Sequence, residues 1–92
     1  MPRYADTEAS FDELKARIVR TADFIERLDK AAFEGAETRP IVLVTGGRER
    51  TLAGQTYYFT VALPNFYFHV TTAYDILRHC GVDLGKRDFL AG

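Results

Sequence analysis

Residues 63–82 read LPNFYFHVTTAYDILRHCGV. Phe66, His69, Val70, Ala73, Ile76, Leu77 and Cys80 recur at spacings of three and four, which traces one apolar face of a helix. Gly81 stands where such a helix needs a residue at positive φ to close, and Val82 can supply the apolar contact of a Schellman cap. Working towards the N-terminus, residues 55–63 carry Tyr57, Tyr58 and Phe59 and extend the helical pattern back to Gln55. Pro64 has no amide hydrogen, so it is expected to break or kink this helix near its middle. Beyond Gly81 the chain reads as an irregular tail over residues 83–92, with Leu84 and Phe89 tacking it onto the body.

Upstream of Gly54 the pattern changes. Ile41, Val42, Leu43, Val44 and Thr45 are β-prone and predict a strand. Gly46-Gly47 suits a two-residue hairpin turn, because both can take positive φ, and Arg48 to Leu52 form the return strand. A two-stranded ribbon is marginal alone and should lie across something larger. Gly35, Thr38 and Pro40 forbid a continuous helix before it, while Asp29 to Phe33 allow one short helical turn. Before that turn, Phe11, Leu14, Ile18, Ile25 and Leu28 mark the apolar face of a long helix spanning roughly Thr7 to Leu28. Ser10 and Glu13 match a capping box, with Asp6 and Thr7 as rival caps one turn earlier. The fold class is therefore mainly α: two long antiparallel helices with a small β-hairpin between them, in a single domain over residues 1–92.

Composition narrows the function classes. The chain has 12 basic and 13 acidic residues and a net charge of −1, so no electrostatic argument favours nucleic acid or an anionic membrane. One cysteine, Cys80, permits neither an intrachain disulfide nor a cysteine-rich zinc site. No apolar run reaches the roughly 20 residues of a membrane helix, and MPRYADTEAS lacks the apolar core of a signal peptide. A cytoplasmic location is the expectation.

His69 is the residue with most chemical potential. Asn65 lies four residues before it and Thr72 three after, so the three share one polar stripe. A pair of ligands four apart on a helix suits a divalent metal. The same position suits a buried histidine hydrogen-bonded to a tyrosine or a carbonyl, and the sequence leaves both open. His79 sits near the helix C-terminus, where a cation is favoured. The aromatic blocks Tyr57-Tyr58-Phe59 and Phe66-Tyr67-Phe68 point in several directions at once, which predicts an interface or pocket built from Tyr58, Phe59, Phe66, Val70 and Leu77. GVDLGK, residues 81–86, falls one residue short of a phosphate loop and follows a helix instead of preceding one.

The segments ASFDELKARIVRTADFIERLD (residues 9–29), IVLVTGGRERTLAGQTYYFTVALPNF (41–66) and LPNFYFHVTTAYDILRHCGVDLGKRDF (63–89) together resemble the DUF1993 family, with ALPNFYFHVTTAY and GKRDFL as its specific motifs. The resemblance implies a DinB-like four-helix-bundle superfamily that includes metal-dependent thiol transferases. It also implies that this chain is similar to the C-terminal half of the family: third helix, hairpin and fourth helix. The superfamily's metal site takes three histidines, two of them four apart on the fourth helix. Matching the helix that ends in ILRHCGVD places His69 on the second of that pair and Asn65 on the first.

The expected function is that of a non-catalytic helical module that self-associates as a homodimer and completes a four-helix bundle. No cofactor is expected and no small-molecule ligand is legible. The alternative is a DinB-like enzyme of the thiol-transferase type, with a divalent metal at a site completed between chains through His69 and Asn65. As a buried polar group on the packing face, His69 is expected to point inward.

Overall fold

The computed structural model describes residues 2–91 and divides into two compact units, one up to Glu34 and one from Gly35 onward. The first unit is built on α1, Phe11–Glu26. Ser10 is its N-cap, in extended conformation, and its hydroxyl accepts from the Glu13 amide at 3.2 Å. The Glu13 carboxylate reaches back to the Ala9 amide, one residue earlier than a strict capping box would place it. α1 therefore starts later than Thr7. Residues 7–9 do not join the helix, because the carboxylates of Asp6 and Glu8 are drawn to Arg17 on α1, at 2.8 and 2.9 Å. A 3-10 turn, Lys30–Phe33, closes the unit, capped by Asp29 through the Ala31 amide at 3.0 Å.

The second unit opens with the expected hairpin. β1 (Pro40–Thr45) pairs antiparallel with β2 (Arg48–Ala53), with Ile41 opposite Leu52 and Val44 opposite Glu49. Gly46 and Gly47 have φ of 58° and 75°, both left-handed, the type I′ geometry whose twist matches the strands. The loop before β1 lies against the start of the next helix. Gln55 donates its amide to the Glu37 carbonyl at 2.9 Å, and a β-carbon on Gly54 would fall 1.8 Å from the Ala36 carbonyl oxygen.

From Gly54 the chain is helical to His79. α2 (Gly54–Tyr57) passes into a π segment, Tyr58–Ala62, and then into α3, Leu63–His79. Pro64 does not break this helix: Tyr57, Tyr58, Ala62 and Leu63 all keep right-handed helical dihedrals. The Leu63 amide donates to the Tyr58 carbonyl, five residues back. That wider register gives the proline ring room against the preceding turn.

α3 ends as its sequence predicts. Gly81 has φ of 97°, its amide donates to Arg78, and the Val82 amide donates to Leu77, both at 3.0 Å. That is the paired hydrogen-bond pattern of a Schellman cap. The expectation of an irregular tail over residues 83–92 is corrected, since Lys86–Ala91 form a further helix, α4; Gly92 lies outside the described residues. The Gly85 amide donates to the Asp88 carboxylate at 2.8 Å, and the Gly85 carbonyl accepts from Asp88 and Phe89. Phe89 stands edge-on to Tyr74 of α3 at 5.1 Å, so the tail is fastened as expected.

The protein is mainly helical with one small hairpin. Among the described residues none is buried, and no helix is long and apolar enough to cross a membrane. In the first unit Phe11 is 82% exposed and Ile18 66%; in the second, Phe66 is 59% and Phe68 66%.

Candidate functional site

α3 presents the residues that the sequence singles out. Phe66, Val70, Ala73 and Leu77 follow the three-and-four spacing of a single seam. Phe66 and Leu77 are exposed, and so are Tyr58 and Phe59 in the π segment, while Val70 is half-buried. Neighbouring rings meet only edge-on: Tyr58 with Phe59 at 5.0 Å and Phe66 with Tyr67 at 5.5 Å. Such contacts between consecutive residues stiffen the rings without covering them.

His69 is exposed, as is Asn65 four residues earlier, and its ring sits edge-on to Phe68 at 5.5 Å. The inward, buried His69 expected from the apolar stripe is thus corrected for this chain. A stripe tells which face is apolar; burial also needs a second element over that face. Thr72, the third member of the polar stripe, is half-buried.

One imidazole and one side-chain amide fall short of the three protein ligands usual for a catalytic zinc. Among the described residues no group of three His, Cys, Asp or Glu side chains could hold a metal ion. His69 and Asn65 alone do not fit a self-contained metal centre. His79, in the last turn of α3, and Cys80, its C-cap, are both exposed.

A cluster of partnered charges lies elsewhere, in the first unit, and the sequence analysis did not single it out. Arg17 bridges Asp6 and Glu8, and Arg20 reaches Glu8 at 4.0 Å. Tyr4 lies beneath both guanidinium groups, at 4.9 Å from Arg20 and 5.8 Å from Arg17. A hydrogen bond from its own backbone and the nearby Arg17 hold the Glu8 carboxyl below its ordinary range, against some desolvation. Hydrogen bonds to Asp6 and Glu8 raise Arg17. The signal was legible in retrospect: Tyr4, Asp6 and Glu8 alternate in an extended segment, opposite two arginines one helical turn apart.

Residues 1–90 match a known family, described as a domain of unknown function, DUF1993. The chain belongs to the DUF1993 family. A crystal structure of a DinB family member protein from Shewanella denitrificans is similar to this DUF1993 chain at 40% sequence identity, with a TM-score of 0.82. The match covers 97% of this chain and 49% of that one, so the DUF1993 chain spans about half the length of its structural relative. No curated protein matches it. The DinB-like fold expected from the motifs at residues 62–74 and 85–90 is thereby supported by sequence and by structure.

Proposed function

We propose that this DUF1993 chain is a non-catalytic DinB-like helical module that pairs with a second copy of itself. Each copy supplies helices that together complete a four-helix bundle. The observation that carries this reading is the absence of any buried side chain among the described residues of a chain that is 47% hydrophobic. Contiguous exposed apolar patches beyond a few hundred Å2 are rare in soluble monomers. Leaving about 600 Å2 of such surface in water forgoes on the order of 15 kcal/mol at roughly 25 cal/mol per Å2, which matches the whole stability of a typical domain.

Two-fold pairing is the commonest way for identical chains to cover such a face. The seam of Phe66, Val70 and Leu77, flanked by Phe59 and Tyr58, would form its centre. We place the module in the cytoplasm. Sedimentation equilibrium of Phe66→Glu combined with Leu77→Glu tests the assignment. The double variant should lose the dimer and most of its cooperative unfolding, whereas Phe11→Glu on α1, read in parallel, shows whether the first unit shares the interface. A dimer that survives both charges removes the seam from the proposal.

The exposed placement of His69 and Asn65 favours one second reading. Pairing could bring two copies of this donor pair together and complete a divalent metal site of the DinB thiol-transferase type between chains. Elemental analysis after dialysis decides it: stoichiometric zinc or nickel that disappears in His69→Ala would replace the non-catalytic reading with this one.

A further inference from the structure

α3 and α4, with Leu84 and Gly85 between them, line an open groove of about 350 Å3 within the second unit. Its apolar wall is made by Tyr74, Leu84, Phe89 and Leu90, with Tyr74 and Phe89 locked edge-on at 5.1 Å. Arg78 from the last turn of α3 and Lys86 from the first turn of α4 line the same groove. Among the described residues neither cation forms an ion pair. One carboxylate, Asp75, shares the lining, which leaves it net cationic by one charge.

We propose that this groove is a binding site for a small organic carboxylate with an aromatic or branched apolar body. The volume lies in the range of small-molecule sites, and a mainly apolar lining with a few converging polar groups is their usual composition. The single net positive charge matches a monoanion. A phosphate, with nearly two charges and no apolar body, would leave the Tyr74–Phe89 wall unused. Arg78 suits a carboxylate in particular, because its planar fork meets both oxygens.

The site is independent of the proposed dimer. Thr71, Tyr74, Asp75 and Arg78 follow the spacing of one helix face, and at 3.6 residues per turn that face lies about a third of a turn from Phe66, Val70, Ala73 and Leu77. Pairing through the seam leaves the groove open. α4 meets α3 through the Phe89–Tyr74 ring contact, and Asp88 caps its first turn at Gly85.

Titration of the full chain with 4-phenylbutyrate and, separately, with its uncharged amide tests the site, read by amide NMR shifts. The acid should give saturable shifts at Tyr74, Leu84 and Phe89 and bind at least 10-fold tighter than the amide. In Arg78→Gln combined with Lys86→Gln, both exposed positions where folding is not at stake, the acid should lose that preference while the amide binds as before. The proposal is overturned by the absence of saturable shifts, by shifts confined to other residues, by equal affinity for acid and amide in the native chain, or by a preference that survives the double substitution. Inorganic phosphate that displaces the acid at equal concentration would also overturn it, since the apolar body would then contribute nothing.

Discussion

A β-carbon at Gly54 would stand 1.8 Å from the Ala36 carbonyl oxygen and 3.0 Å from its carbon, backbone atoms that cannot swing aside. Gly54→Ala should therefore lower stability by about 1–3 kcal/mol, the range of an overpacked site, as a shift of the urea midpoint. The Arg17 cluster makes a prediction in pH. A carboxyl held below its ordinary value contributes stability above that value and loses it as pH falls through the lowered one. Glu8 should therefore keep residues 4–8 docked on α1 at neutral pH and release them as the pH drops below the ordinary carboxylate range. Arg17 is raised by the same carboxylates, so at the alkaline end the contact fades only in strong alkali. NMR shifts of the Tyr4 ring and the Arg17 side chain, followed against pH, should move together, and added salt should loosen the same contacts. His69 shows the limit of reading at this scale. Its place on an apolar stripe was legible, but its exposure was not, because burial depends on residues distant in sequence.

Elements whose rules are local were legible in detail. Gly46-Gly47 after the β-prone run Ile41 to Thr45 pointed to the hairpin, and Gly81-Val82 to the Schellman cap with its hydrogen-bond partners. Ser10 belongs to the same class, and Ser10→Ala should cost about 1 kcal/mol of stability, with a matching loss of helical circular dichroism in the first turn of α1. Two elements escaped for physical reasons. α4 has only one turn of apolar residues, Phe89 and Leu90, too few to show a period, and its cap comes from Asp88 reaching back to Gly85. The π segment cannot be read from Pro64 alone, since a proline rules out one hydrogen bond without saying how the chain re-registers around it. The groove between α3 and α4 went unseen for the same reason, because it exists only once α4 does.

At the scale of the whole molecule, the sequence marks apolar faces on its helices, and nothing within the described chain buries them. Phe59, Phe66 and Leu77 remain exposed on one helix, while the hairpin contacts α2 and α4 meets α3 through Phe89 and Tyr74. A sequence records which faces avoid water; it does not record which chain covers them. Pairing with a second copy is the proposal that these uncovered faces support. Multi-angle light scattering at micromolar concentration measures it directly. The account predicts a mass of twice 10.4 kDa; a mass of one chain, accompanied by a cooperative unfolding transition, would contradict it.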